Sequence, residues 1–352
     1  MMDMLTEHHM AAFIGLMGGI ILGLAARIGR FCTLGAIEDL LYGGSSQRLR
    51  MWALAVGVAV IGSFSLMGAG LFDESQSFYL SIRWMPLASI LGGLLFGYGM
   101  ALSGNCGYGA IARLGGGDLR SFVIVLVMGV STYVVLSGPL APIRNALFEQ
   151  IDVTNEIPPG LAHHASALSG LPLHWIGIAV GVLIAIAALS SSELYLDRTA
   201  MFWSVAVGLA IVSGWAGTTY VNEIGFEALP VVSHSFSAPV GETILWTMTG
   251  SLRPVSFAVG SIAGVWTGAF IGSLIKGHFR WEACEDPREL KRQIFGAAIM
   301  GAGAVIAMGC TVGQGMTAFS VLSISAPVTF IAIFAGAAFG LRQLIEGFSA
   351  AE

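Results

Sequence analysis

Three of the four cysteines in this chain begin the same short phrase, Cys-x-x-Gly: Cys32-Thr33-Leu34-Gly35, Cys106-Gly107-Tyr108-Gly109 and Cys310-Thr311-Val312-Gly313. Each phrase interrupts a hydrophobic, glycine-rich run. A thiol is a weak S–H donor, and as a thiolate it exchanges sulfur covalently. Both properties suit a soft, sulfur-bearing partner. The spacing contains no Cys-x-x-Cys pair and no companion histidine, so the phrases do not read as a metal site, and no metal or other cofactor is expected. A disulfide framework fits poorly, because the chain is not a small secreted scaffold. The plainer alternative is that each cysteine is a small buried hydrophobe. Three in one repeated setting weigh against it. A fourth place, Gly214-Trp215-Ala216-Gly217, has the same setting with glycine where a cysteine would stand.

The elements that must hold these phrases follow from composition. Hydrophobic residues make up 55% of the chain and charged residues 11%, with a mean hydropathy of +0.80. Soluble domains lie far from those values. A bilayer core about 30 Å thick needs about 20 apolar residues per helix. Runs near that length lie at 11–26, 52–72, 85–103, 122–140, 173–190, 201–213, 255–275, 294–308 and 327–341. The fold class expected is an all-α integral membrane protein with about nine transmembrane helices.

Charge sets the expected orientation. The first ten residues hold Asp3, Glu7 and two histidines but no lysine or arginine, which argues against a cleavable signal peptide. Arg27, Arg30, Arg48 and Arg50 follow the first run, Arg113 and Arg120 the third, and Lys276, Arg280, Arg288, Lys291 and Arg292 the seventh. By the positive-inside rule those segments are cytoplasmic, the N-terminus is outside and the C-terminus inside. A multi-pass protein of the bacterial inner membrane is the localisation expected.

That order of spans exposes a repeat. Residues 11–140 form a first half and 199–342 a second, with an external loop at 141–172 and a linking helix at 173–190. One linking crossing inverts the second half. Cys32 and Cys106 then enter from the cytoplasmic side, and Gly214 and Cys310 from outside. Inverted repeats with glycine-interrupted segments near the midplane mark transporters. The phrases are glycine-dense and nearly uncharged, and apolar residues resume at once, so each reads as a bend followed by a short re-entrant helix. Such a helix directs its N–H groups and positive dipole end toward the midplane, where an anion fits. Candidate substrate-binding residues are therefore Cys32, Cys106 and Cys310 with Gly35, Gly104, Asn105, Gly107, Gly109, Gly214, Gly217, Gly309 and Gly313. The competing account of the glycines is close packing between helices.

Other residues carry less. Cys284 sits in a charged loop beside Glu285 and Asp286 and reads as a surface thiol. His8, His9, His163 and His164 read as solvated. An arginine beside a span is ordinarily a topology signal or snorkels to the interface. No P-loop phrase occurs, so the chain is not expected to hydrolyse ATP, and no nucleic-acid partner or enzymatic activity is expected.

The phrases Gly29-Arg30-Phe31-Cys32, Ser103-Gly104-Asn105-Cys106-Gly107-Tyr108-Gly109 and Met308-Gly309-Cys310-Thr311-Val312-Gly313 resemble the sulfur-transport motifs of the YeeE/YedE membrane family, over nearly the whole chain. The resemblance implies a nine-helix inverted-repeat fold with short re-entrant helices. It also implies thiosulfate uptake along a path marked by Cys32, Cys106 and Cys310, in some relatives with a small TusA-like sulfur carrier on the cytoplasmic side. SoxT-type relatives, by contrast, pass sulfur inward for sensing. Thiosulfate is a dianion with one soft terminal sulfur. Helix N-termini answer its charge, and thiol S–H groups answer its sulfur. A membrane thiol oxidoreductase is the remaining class, but it would call for a Cys-x-x-Cys pair, a quinone site or a haem site.

Overall fold

Backbone in hydrocarbon must satisfy its own hydrogen bonds, and this chain does so with helices. The computed structural model describes residues 2–151, 153, 157–283 and 286–347, with residues 2–6 as backbone only. In chain order the helices are α1 (Met2–Arg27), α2 (Thr33–Glu38), α3 (Gln47–Gly68), α4 (Phe78–Ser81), α5 (Pro86–Ser103), α6 (Gly107–Gly115), α7 (Leu119–Leu136), α8 (Ala141–Leu147), α9 (Leu161–Ser169), α10 (Leu173–Leu189), α11 (Ser192–Tyr195), α12 (Arg198–Ile224), α13 (Ala238–Thr249), α14 (Phe257–Ile275), α15 (Pro287–Ile306) and α16 (Ser325–Glu346). Among the described residues there are no strands, only two isolated bridges.

Seven helices, α1, α3, α5, α7, α12, α14 and α16, are long and apolar enough to cross a bilayer. The apolar α10 is shorter, at 17 residues. The 20-residue α15 carries charge in its first turns. This is an all-α, multi-pass membrane protein.

Glycine sets how closely these helices approach. Gly15, Gly19 and Gly23 of α1 face Gly260, Gly264 and Gly268 of α14. A Cβ on any of the six would fall 1.9–2.4 Å from a backbone oxygen of the other helix. The same device holds α5, where Gly97 abuts Ile333 of α16 and Gly99 abuts Gly296 of α15. With hydrocarbon outside, such close van der Waals packing replaces the hydrophobic effect as the force between helices. Elsewhere α3 packs on α10 and α12, α7 on α15 and α13, α6 on α14, and α2 on α3 and α16.

One expectation fails. Gly214 and Gly217 do not form a bend; they lie inside the continuous 27-residue α12. A helical glycine costs only about 1 kcal/mol relative to alanine, which a packed helix absorbs. These two are small because neighbours fill the space. A Cβ would stand 2.4 Å from Ser233 Oγ at Gly214 and 2.5 Å from Ile14 Cγ2 at Gly217. The chain turns later, between the end of α12 and Ala238, through Ser233-His234-Ser235-Phe236-Ser237.

Candidate functional site

Each of the three cysteines stands where one helix has ended and another begins. Two residues before each cysteine the backbone is left-handed: Arg30 (φ 53°), Gly104 (φ 75°) and Met308 (φ 55°). Arg30 and Met308 are two of only three non-glycine residues with positive φ among those described. Each costs about 1 kcal/mol or more, so the turn is held by its surroundings. Part of that hold is Gln314, whose side-chain amide donates to Ala307 O at 2.9 Å and Met308 O at 3.1 Å and accepts from Ser325 Oγ at 3.1 Å.

The cysteine then acts as the cap of the next helix. Cys32 and Cys106 occupy the N-cap positions of α2 and α6 with extended backbone. Helical structure resumes at Thr311 after Cys310 and passes into a π-helical stretch, Gly313–Ala318. Gly109 N–H donates to Cys106 Sγ at 3.4 Å, and Gly313 N–H donates to Cys310 Sγ at 3.4 Å. The spacing puts a backbone amide within reach of the sulfur, because an N-cap side chain accepts from the amide three residues on. Cys32 makes no such bond. There Gly35 leaves room for Arg48, since a Cβ would lie 2.3 Å from Arg48 Nη1.

The three sulfurs form a series. Cys106 (0% exposed) has both Cys32 and Cys310 as neighbours. Cys310 (1% exposed) also accepts from Phe236 N–H at 3.4 Å and touches Ser235 Oγ at 3.8 Å. Cys32 is partly exposed. Tyr108 seals the middle, with its hydroxyl donating to Leu22 O at 2.5 Å and its ring 5.3 Å from that of Phe236. Phe236 O lies 3.2 Å from where a Cβ on Gly107 would be. Asn105, 3% exposed, comes 3.4 Å from the corresponding point on Gly109. Gly309 has a φ of +156° and sits against Gln314. Of the twelve residues singled out in the sequence, only Gly214 and Gly217 fall away from these bends. Cys284 lies outside the described residues.

A cavity opens at each end of the series. One, of about 370 Å³, is lined by Tyr79, Ser233, Ser235, Ser237, Trp215, Met308 and Gly309, and it lies at the end of the bundle where α1 starts. The other, of about 540 Å³, lies at the opposite end and reaches Cys32, Gly35, Gly104, Asn105 and Gly109. Its walls carry Arg27, Arg30, Arg48, Arg113, Lys276 and Arg292 against the single acid Glu38. Such a cavity concentrates anions. Sequence reasoning treated each of these cations as a marker of topology. Only the fold brings residues from α1, α3, α6, α14 and α15 to one space. The serines of the 233–237 turn were missed because no cysteine marks them.

Apolar spanning helices, thiols at helix starts and a basic cavity mark a multi-pass membrane protein with an internal polar site. The chain belongs to the sulphur transport family (Sulf_transp), which matches residues 28–339. It is 25% identical over 316 residues to the thiosulfate transporter TsuA of Escherichia coli K12, covering 86% of each chain. It is 24% identical over 324 residues to the thiosulfate transporter TsuA of Spirochaeta thermophila, covering 88% of this chain and 92% of the relative. A probable transporter YedE of Salmonella typhimurium is 24% identical over 159 residues, 44% of this chain and 38% of the relative.

Proposed function

We propose that this chain carries thiosulfate inward from the serine-lined cavity to the basic one, by way of Cys310, Cys106 and Cys32 in turn. The observation that carries the reading is the placement of those thiols, each at a helix start, between two cavities at opposite ends of the bundle. A dianion needs positive potential, which helix N-termini and the basic cavity supply. Its terminal sulfur needs a soft partner, which a thiol supplies. Sites that bind weakly in series also release what they bind. The names of the two long-matching relatives support thiosulfate as the ion.

The path is built on an inverted repeat. In support, the packing pairs correspond: α1 on α14 matches α12 on α3, α5 on α16 matches α15 on α7, and α2 on α16 matches α13 on α7. The basic cavity faces the cytoplasm, as the positive-inside rule requires. The test is uptake of labelled thiosulfate by proteoliposomes holding the purified protein, with sulfate and sulfite as competitors. Saturable thiosulfate uptake without uptake of labelled sulfate is expected. Protein-independent accumulation would overturn the reading.

A further inference from the structure

Ser237 occupies the N-cap of α13, where a serine hydroxyl ordinarily accepts from the first-turn amides. It makes no capping bond. The residue is 2% exposed, its hydroxyl has no partner, and it lines the serine-lined cavity. An unpaired buried hydroxyl costs free energy unless something else completes it. Nearby, Ser235 Oγ and Tyr79 Oη converge over the turn after Cys310. A Cβ on Gly313 would stand 2.8 Å from the first and 3.2 Å from the second. Both side chains line the same cavity.

A helix N-terminus and one cation face this cavity, against one carboxylate. The 12-residue α13 presents its N-terminus here. Arg144 lines the cavity too, and the one carboxylate in its wall, Glu242, is engaged by the Ser256 hydroxyl. Behind Ser235, 3.8 Å from its Oγ, sits the buried Cys310 sulfur, which accepts from the amides of Phe236 and Gly313. The hard, hydroxyl-lined floor thus backs onto a soft sulfur.

We infer that Ser235, Ser237 and Tyr79 form an oxyanion half-site at the start of α13. It takes the sulfonate end of an S–SO₃ anion while the terminal sulfur meets Cys310. The inference rests on the proposed passage of thiosulfate and adds a specificity. Sulfate has the oxygens but no terminal sulfur, so it occupies the half-site and goes no further.

Two measurements test this on the purified full-length protein. One is the rise in melting temperature with sodium sulfate against sodium chloride at matched ionic strength. The other is inhibition of labelled thiosulfate uptake by sulfate in proteoliposomes. Ser237→Ala and Tyr79→Phe should each raise the half-effective sulfate concentration about tenfold in both assays, the effect of losing one hydrogen bond to an anion. The half-saturating thiosulfate concentration should rise with it. Ser237→Thr, which keeps the hydroxyl, should recover most of the loss. Because Ser237 Oγ has no partner, its removal breaks no bond of the fold. An unchanged sulfate response in both variants overturns the half-site, as does wild-type protein indifferent to sulfate in both assays. Sulfate stabilisation lost in Ser237→Ala, in a protein that takes up no thiosulfate, would sink the transport reading and leave the half-site standing.

Discussion

The amide of Gly313 donates to the thiol sulfur of Cys310 at 3.4 Å, one helical turn along the chain. Gly109 stands in the same relation to Cys106, also at 3.4 Å. Sulfur is a weak acceptor, so as a cap the thiol is inferior to a serine hydroxyl. A position that favours serine for stability but holds cysteine points to a use for the sulfur. At both positions the sulfur faces the amide N–H three residues on.

Stability and transport should therefore separate in the serine variants. Cys106→Ser and Cys310→Ser place a stronger acceptor at each cap, and we expect melting temperatures equal to or above wild type. Thiosulfate uptake should fall at least about tenfold, since a hard hydroxyl replaces a soft donor to sulfur. Cys106→Ser should be the more severe, because that thiol lies between the other two. Normal uptake in both variants at normal expression would make the cysteines packing residues.

Glycines in and around the same phrases should rank by geometry. At Gly109 an added Cβ meets nothing nearer than Asn105 Oδ1 at 3.4 Å, inside regular α6, so Gly109→Ala should be neutral or slightly stabilising. Gly104 is left-handed (φ 75°), and alanine there costs about 1 kcal/mol. At Gly99 the added atom falls 2.5 Å from Gly296 O, so Gly99→Ala must separate α5 from α15 and should lower the melting temperature most. Thermal unfolding in detergent reads the order.

That ranking shows what was legible beforehand. Each apolar run overlaps a long helix, because hydropathy over about 20 residues is a strong and local signal. The boundaries moved where helices carry charge or glycine past the apolar run. Arg48 and Arg50 belong to α3, and α12 continues eleven residues beyond Ser213 to Ile224. The cysteine bends were legible because thiol, glycine and spacing coincide. Gly214-Trp215-Ala216-Gly217 misled because glycine permits a bend without requiring one, and Ser233 packing against Gly214 explains it equally well. The basic cavity and the Ser233–Ser237 floor draw on residues far apart in the chain, which no local pattern connects.

Labelling should fix the orientation. Ala167 on α9 and Lys276 at the end of α14 are exposed at opposite ends of the bundle. In intact cells a membrane-impermeant thiol reagent should modify a cysteine placed at 167, and should modify one at 276 only after permeabilisation. Equal access to both from outside would overturn the orientation argued from the arginines and lysines.

Acid should weaken one contact outside the spanning segments. The Glu74 carboxylate lies 3.6 Å from Nε2 of His163 on α9. The neighbouring His163 imidazole holds that carboxyl below its ordinary value, against the smaller upward effect of burial. A lowered carboxylate favours the fold above its unfolded pKa, and the benefit is lost as pH falls through the folded one. Because α9 also donates from Leu161 N–H to Leu322 O at 2.8 Å, the contact braces the turn beyond Cys310. We expect Glu74→Gln to melt below wild type at pH 7, with the difference shrinking as pH falls below the ordinary carboxylate range. A difference that does not shrink with acid would show that the carboxylate charge is not what matters.

The last question is whether the ion passes whole. In covalent transfer a cysteine thiolate attacks the terminal sulfur of thiosulfate, an S–S bond forms to give a persulfide, and the S–SO₃ bond breaks to release sulfite. No oxidant is needed, but a thiolate is. The groups in contact with Cys310 Sγ are two amide N–H groups and the Ser235 hydroxyl, and Cys106 Sγ takes the Gly109 amide. None of these is a base that removes a thiol proton. Both cysteines are also buried, where a bare thiolate is costly. We therefore expect hydrogen-bonded passage, with both sulfurs of doubly labelled thiosulfate reaching the vesicle lumen in equal amounts and no mass gain on the protein. Arrival of the terminal label alone, with sulfite left outside and a persulfide on Cys32, Cys106 or Cys310, would establish sulfur delivery instead.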